Sequence, residues 1–125
     1  MALVLLLVIG YFSYKSIRFA TLPNLRTILI AAAPFALVAL GQTLVILTGG
    51  IDLSVGSIIA ISAMTGAKLV VARPEYLWLA VAAAIGVGLI AGLINGLIIS
   101  RLNVAPFVAT LGMLTAASGF AYVIG

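Results

Sequence analysis

The sequence predicts an all-α membrane protein with about five transmembrane helices, and three observations support this class. Of its 125 residues, 66% are apolar and 6% carry a charge, against about 45–50% and about 25% in soluble domains. The apolar residues form runs close to the roughly 20 residues that a helix needs to cross a bilayer. The net charge of +4 comes from single Lys and Arg residues between these runs. Because they form no basic stripe, no nucleic-acid partner is expected.

The apolar runs predict five helices within a single transmembrane domain at 1–125. They are expected near residues 1–14, 24–48, 54–72, 75–99 and 106–125. The first run would be only about 21 Å long as a helix, too short to cross, and it ends in an aromatic cluster typical of a membrane interface. The last run ends without a charged anchor. We therefore expect the first and last helices to be incomplete and the chain to belong to a longer one, the alternative being a complete small protein.

Proline, glycine and short polar residues predict where several helices begin and end. Pro74 and Pro106 stand at expected helix starts, where the missing N–H costs nothing. Gly49 and Gly50 are expected to end the second helix, since glycine accepts the left-handed cap conformation. Asp52 and Ser54 would then be expected to cap the third helix through their side-chain oxygens.

Missing residue types exclude most catalytic chemistry. The chain has no Cys and no His, which excludes thiolate, imidazole and zinc sites. Its two carboxylates, Asp52 and Glu75, belong to different inter-helix segments, so a paired acid/base site is not expected. No P-loop motif is present. We therefore expect no catalytic residue, no metal and no cofactor, and predict that the chain is not an enzyme.

Residues 41–57 are the densest polar stretch, with four glycines and several hydroxyl, amide and carboxyl groups. Such a break between apolar helices is either a capped surface turn or a discontinuous helix that lines a transport pathway. Asn95, in the fourth helix, is either a bonding partner for a neighbouring helix or a further wall of that pathway. The candidate residues for the pathway or its gate are Gln42, Thr43, Thr48, Asp52, Ser54 and Asn95.

A stripe of small residues recurs every four positions in the fourth helix. This spacing puts them on one helical face, where another helix backbone can approach closely. Close helix packing is therefore the predicted role of Ala84, Gly88, Gly92 and Gly96.

Three stretches carry a resemblance to a known family. GIDLSVGS (50–57), preceded by GQTLVILT (41–48), resembles the signature of permease subunits of bacterial ABC sugar importers of the ribose, xylose, galactose and autoinducer-2 type. Stretches 103–113 and 19–25 are similar to two further segments of that family, in the family's order. The motif residues carried over are Gly49, Gly50, Asp52, Leu53, Ser54, Gly56 and Ser57.

The resemblance implies a ten-helix permease, of which this chain would be roughly the N-terminal 40%. Such a subunit forms the pathway for a monosaccharide or a related small polar solute in the lipid bilayer of the bacterial inner membrane. Its implied partners are a second permease subunit (identical or different), a cytoplasmic ABC ATPase that hydrolyses ATP, and a periplasmic sugar-binding protein. Asp52 and Ser54 favour the sugar branch over the related branched-chain amino-acid permeases, which remain an alternative.

The sequence leaves alternatives open for the orientation of the chain in the membrane and for its function. Five cations, namely Lys15, Arg18, Arg26, Lys68 and Arg73, fall on one side of the membrane and Arg101 on the other. By the positive-inside rule this count puts the N-terminus outside, whereas the resemblance implies a cytoplasmic N-terminus, which we adopt. Two other functions are a small proton-coupled secondary transporter with Asp52 as the coupling group, and a membrane scaffold that associates through the glycine stripe.

Overall fold

The computed structural model describes all 125 residues and contains five α-helices and no strand. The helices are α1 (Ala2–Lys15), α2 (Leu22–Leu47), α3 (Val55–Ala72), α4 (Leu77–Arg101) and α5 (Pro106–Ile124). A single 3₁₀ turn, Pro74–Tyr76, precedes α4. The predicted all-α class and the number of helices are confirmed.

Four of the helical segments are long and apolar enough to cross a membrane. They are α2, α3, α4 together with its preceding 3₁₀ turn, and α5, whereas α1 has only 14 residues. At 1.5 Å per residue, the 18 residues of α3 extend about 27 Å, close to the thickness of the hydrocarbon core. The length and composition of these helices agree with a multi-pass membrane protein.

The helix boundaries follow from residues with restricted or unusual backbones. Pro106 is the first residue of α5, as predicted. Pro74 opens the 3₁₀ turn, so α4 itself begins three residues later, at Leu77. After α4, Asn103 has φ 53°, a left-handed conformation that asparagine tolerates better than most residues. It turns the chain between α4 and α5.

The chain divides into two compact units, of which the first is Met1–Gly41. It contains α1 and the N-terminal part of α2. The connection between them is held by two short side-chain bonds: Asn24 Nδ2 donates to the Phe19 carbonyl at 2.7 Å, and Thr21 Oγ1 donates to the Arg18 carbonyl at 2.7 Å. The Phe12 ring stacks on Phe19 with 5.7 Å between centroids. These contacts define the turn within the 19–25 stretch.

The second unit, Gln42–Gly125, is built around α3, which packs against both α4 and α5, while α4 also packs against α5. Large apolar side chains such as Leu89 and Phe120 are exposed. Lipid tails are as apolar as leucine, so helices in a bilayer associate through small side chains and polar bonds rather than large apolar ones. The buried set has this character: Ser54, Ser57, Ala80, Ala91, Asn95, Ala109, Thr110, Ala117 and Ala121.

Candidate functional site at the break between α2 and α3

Helix α2 ends in a glycine motif that turns the chain sharply. Gly49 has φ +76°, and its N–H donates to the Ile46 carbonyl at 2.9 Å, while the Gly50 N–H donates to the Val45 carbonyl at 3.0 Å. This pair of bonds is the Schellman motif, which satisfies the last carbonyls of a helix. The prediction that Gly49 and Gly50 end the second helix is confirmed.

The residues between the two helices, 48–54, form what we call the break segment. After the glycine turn it has no regular secondary structure. Gly50 is buried, and a Cβ there would meet Val45 Cγ1 at 3.2 Å and Pro106 Cβ at 3.5 Å. The segment therefore passes close to both the end of α2 and the first turn of α5, and only a residue without a side chain fits this passage without displacing a neighbour.

Thr110 of α5 holds the backbone of the break segment. Its Oγ1 accepts the Leu53 N–H at 3.2 Å and lies 3.2 Å from the Ile51 carbonyl and 2.9 Å from the Pro106 carbonyl, either of which can accept its single proton. The side chain is 2% exposed. A segment without regular secondary structure in a membrane needs partners for its backbone groups, and Thr110 supplies one for the Leu53 N–H.

Gln42, near the end of α2, contacts the same segment from another side. Its Nε2 lies 3.5 Å from the Asp52 carbonyl oxygen, a long hydrogen bond, and its side chain is half-buried. The structure thus places Gln42 beside the break segment.

Asp52, Ser54 and Asn95 form a chain of hydrogen bonds, which we call the relay. Asn95 Nδ2 donates to Ser54 Oγ at 2.9 Å, and Ser54 Oγ donates to Asp52 Oδ1 at 2.6 Å. The same Oδ1 accepts the Ser54 N–H at 2.7 Å. Ser54 is fully buried. The relay joins the break segment to α4, and bonds to a carboxylate are among the stronger ones in proteins.

The expectation that Ser54 caps α3 through its side chain is wrong. Ser54 is the N-cap residue, but its side chain makes no bond to the helix backbone. Two causes are visible: its hydroxyl is already used by Asp52 and Asn95, and its backbone (φ −85°, ψ −11°) is helical rather than extended. Asp52 instead fixes the entry to α3 through the Ser54 N–H, and Ser57 Oγ donates to the Ser54 carbonyl at 2.8 Å.

A cavity of about 280 Å³ lies beside the relay. Polar groups of Asp52, Asn95 and Thr110 form part of its wall, and the remainder is apolar or glycine: Val45, Ile51, Gly92, Gly96, Ile99 and Pro106. Asn95 is 6% exposed, and its Oδ1 has no hydrogen-bond partner. Asn95 therefore borders a mostly apolar cavity and carries a buried acceptor without a partner.

The small-residue stripe of α4 divides into two parts. Ala84 and Gly88 face α3: the Ala84 Cβ lies 3.4 Å from the Cβ position of Gly66, and a Cβ at Gly88 would meet Ser62 Oγ at 3.6 Å. A Cβ at Gly92 or Gly96 would meet nothing within 4 Å, and both residues line the cavity. Close packing at Gly92 and Gly96 stays a prediction.

The other residues proposed from the sequence lie apart from the cavity or at its edge. Thr48 is exposed and its Oγ1 donates to the Val45 carbonyl at 2.8 Å, and Thr43 is exposed on α2. The structure brings together Gln42, Asp52, Ser54 and Asn95, but neither threonine lines the cavity. The pathway roles of all six residues remain predictions.

Thr110 is the residue that the sequence analysis missed as a candidate. It sits inside the 103–113 stretch, whose resemblance to a family segment was the available signal. A lone threonine in an apolar helix usually bonds to its own backbone, as Thr115 does with the Gly112 carbonyl at 2.8 Å. Thr110 differs only because the break segment lies against it.

The two carboxylates of the chain are well separated. Asp52 precedes α3, and Glu75 follows it, paired with Arg73 at 3.8 Å on the exposed surface. The length of α3, about 27 Å at 1.5 Å per residue, lies between them. They therefore cannot act as an acid/base pair.

Comparison with known proteins assigns the chain to a family. Residues 24–125 match the family described as the branched-chain amino acid transport system permease component. That range includes the break segment, the relay, Thr110 and all of α2 except its first two residues. No solved structure matches the chain.

Curated relatives carry the names of sugar permeases. The galactofuranose transporter permease protein of Escherichia coli is 50% identical over 97 residues, which cover 78% of this chain and 28% of that protein. The ribose import permease protein of Escherichia coli is 43% identical over 110 residues, 88% of this chain and 34% of that protein. A fructose import permease protein of Bifidobacterium longum is 42% identical over 100 residues, 80% and 28% respectively. The chain spans about a third of the length of these relatives.

Proposed function

The chain belongs to the family of branched-chain amino acid transport system permease components, and from that membership we propose that it is part of the transmembrane permease subunit of an ATP-binding-cassette importer. The proposed cargo is a monosaccharide or a related small polar solute. The observation that carries the proposal is the identity of 42–50% with permeases named for galactofuranose, ribose and fructose. The subunit forms the translocation pathway and catalyses no reaction.

The family's description and the relatives' names point to different cargoes, and the chemistry of the break segment favours the sugar. A branched-chain amino acid carries both an ammonium and a carboxylate group, which need opposite charges as partners. The residues that line the cavity beside the relay include one carboxylate, one amide, one hydroxyl and no cation. A neutral hydroxylated cargo needs only hydrogen-bonding groups of this kind.

The proposed assembly requires partners for energy and selectivity. They are a second permease subunit, a cytoplasmic ABC ATPase and a periplasmic sugar-binding protein. ATP hydrolysis belongs to the ATPase subunit. The proposed location is the bacterial inner membrane, with α2 to α5 crossing it and the N-terminus in the cytoplasm.

Uptake by the reconstituted importer tests the proposal. The full-length gene product is placed in proteoliposomes with its proposed ABC ATPase and binding protein and is offered labelled ribose, galactose or fructose. We expect ATP-dependent accumulation of at least one sugar and none of leucine. Accumulation of leucine in place of every sugar would instead support the amino-acid alternative, and uptake without ATP would contradict the ABC mechanism.

A proton-coupled secondary transporter is the second candidate, because Asp52 is an acid in the most polar segment of the chain. Asp52→Asn distinguishes the two mechanisms. An asparagine at this position keeps an oxygen that accepts the two bonds from Ser54, so the relay survives while the titratable group is lost. Under the ABC proposal, import driven by ATP persists in this variant; its abolition, together with ATP-independent uptake by the unmodified protein, would favour proton coupling.

A further inference from the structure

We propose that the cleft between α1 and α2 binds one anionic phospholipid, with an acyl chain along the two helices and the phosphate at the cations beside their connection. The cleft lies entirely within the first unit. The inference goes beyond the proposed function and does not depend on the cargo, because it concerns a lipid that stays bound to the protein rather than a solute that passes through it.

The cleft is apolar and accessible from outside the two helices. It has a volume of about 680 Å³ and is lined by Leu5, Val8 and Ile9 of α1 and by Leu25 and Ile28 of α2. No residue of either helix is buried, so neither helix covers the apolar face of the other. In a membrane such a cleft is filled either by an acyl chain or by another helix, since both are equally apolar.

The length of the cleft matches one leaflet of a bilayer. Along α1 it extends from Leu5 to Ser13, about 12 Å at 1.5 Å per residue. The hydrocarbon region of one leaflet is about 15 Å deep, half of the core. Tyr11, Phe12 and Tyr14 are exposed near the same end of α1, and aromatic residues are enriched at the membrane interface. The cleft therefore ends near the depth at which a phospholipid carries its phosphate.

Three cations without a counter-charge surround this end of the cleft. Lys15, Arg18 and Arg26 are exposed, and each lies within two residues of one that lines the cleft. None of them pairs with an acid, since the ion pair of the chain joins Arg73 to Glu75 and no acidic residue occurs among the first 51. Clustered cations beside a membrane attract anionic lipid headgroups.

The apolar cleft and the cations together select the occupant. A soluble anion would pair with the cations but leave the cleft empty. A neutral lipid would fill the cleft but bring no net charge, and an apolar helix would do the same. An anionic phospholipid supplies both an acyl chain and a phosphate, joined at the spacing that the membrane itself imposes.

Lipid binding by the full-length gene product tests the site. The delipidated protein in detergent is titrated with dioleoylphosphatidylglycerol or with dioleoylphosphatidylcholine, which has the same acyl chains and no net charge, and native mass spectrometry counts the bound lipid. We expect phosphatidylglycerol to bind more tightly. Each cation near an anionic lipid contributes about fivefold in affinity, so the triple variant Lys15→Gln, Arg18→Gln and Arg26→Gln should lose at least about tenfold of this preference. A protein that imports sugar but binds both lipids equally would refute the site while the proposed function stands.

Removal of the same charge elsewhere is the matched control. Lys68→Gln, Arg73→Gln and Arg101→Gln change three exposed cations that lie outside the first unit, and the preference should stay within about twofold because distant exposed charges are screened. An equal loss in both triple variants would show attraction by overall charge and overturn the site. A third variant exchanges Lys for Arg and Arg for Lys at the three cations beside the cleft. It keeps their charge and must keep the preference, and a loss there would contradict the electrostatic assignment.

Quenching by a brominated acyl chain tests the cleft itself. The chain has no cysteine, so Val8→Cys, labelled with bimane in a full-length protein without other cysteines, reports from the cleft wall. Val81→Cys on α4 is the control, because the two valines are similarly exposed (45% and 52%) but only Val8 lines the cleft. In detergent, one equivalent of brominated phosphatidylglycerol should quench bimane more strongly at Val8 than at Val81. Equal quenching would show that the acyl chain lies elsewhere, and displacement of the lipid by an equal concentration of glycerol 3-phosphate would assign the cations to a soluble anion instead.

Discussion

Removing the hydroxyl of Ser54 is the sharpest test of the relay. Ser54 is fully buried, donates to Asp52 Oδ1 at 2.6 Å and accepts from Asn95 Nδ2 at 2.9 Å. Ser54→Ala deletes both bonds with the loss of one atom. The Asp52 carboxylate keeps its bond from the Ser54 N–H, but the Asn95 amide is left with no partner at all, since its Oδ1 already has none.

Two typical magnitudes bracket the loss of stability expected for Ser54→Ala. A hydrogen bond to a charged group contributes about 1.5–3 kcal/mol in soluble proteins, whereas polar bonds between helices in membrane proteins average about 0.6 kcal/mol. The full burial of Ser54 and the orphaned amide of Asn95 place this site toward the upper value. We therefore expect Ser54→Ala to lower the free energy of unfolding by about 2 kcal/mol.

The assay is equilibrium unfolding of the full-length gene product in mixed micelles by titration with SDS. Ser100→Ala is the control, since Ser100 is exposed near the end of α4, and its effect should stay within about 0.5 kcal/mol. In the double variant with Asn95→Leu, the orphaned amide is gone, so its cost should be less than the sum of the two single changes. A loss at Ser54→Ala no larger than at Ser100→Ala, or strict additivity in the double variant, would refute the relay as a stabilising network.

Three further predictions concern the break segment and its surroundings. Gly49→Ala should destabilise the protein by about 1 kcal/mol because of the left-handed backbone. Gly86→Ala, in open space within α4, is the control and should stabilise the protein by about 0.5–1 kcal/mol. Equal effects of the two changes in the same unfolding assay would contradict the role of Gly49 in ending α2. Asp52→Ala should lower the free energy of unfolding by about 0.5–2 kcal/mol, because it removes the cap at the entry to α3, and Asp52→Asn should lower it clearly less. The reverse order would show that the charge of Asp52, rather than its accepting oxygen, stabilises the segment. A reporter fused after Ala105 in the full-length gene should report a cytoplasmic location, and a periplasmic signal would reverse the proposed orientation.

The fold class and the end of α2 could be predicted because each depends on local information. The number of helices follows from the lengths of the apolar runs, and the turn at Gly49 follows from the ability of glycine to adopt φ +76°. Asn103 plays a similar part after α4 with φ 53°. Its identity alone did not predict this, since asparagine serves in many other settings.

The partners within the site could not be predicted, because they are far apart in the sequence. Asn95 and Ser54 are 41 residues apart, and Thr110 and Leu53 are 57 apart. Helical periodicity places residues on a face of their own helix but does not say what that face meets. The same limit applies to the glycine stripe: its spacing is regular, yet Gly88 packs against α3 while Gly92 bounds a cavity.

The sequence left two interpretations of the break segment, a capped turn and a gate in a transport pathway, and the structure is compatible with both. If the segment is a gate, the hydrogen bonds that hold it determine how it can move. Three side-chain bonds tie the break segment to different helices, through Gln42, Asn95 and Thr110. At about 0.6 kcal/mol for each of the bonds through Gln42 and Thr110 and about 2 kcal/mol for the relay, their joint loss costs about 3 kcal/mol, which leaves a segment released from all three populated below about one per cent. If the segment moves together with the first turn of α5, the bonds to Thr110 are kept and the cost falls. A transport cycle that opens this region is therefore expected to shift the break segment and the start of α5 as one body.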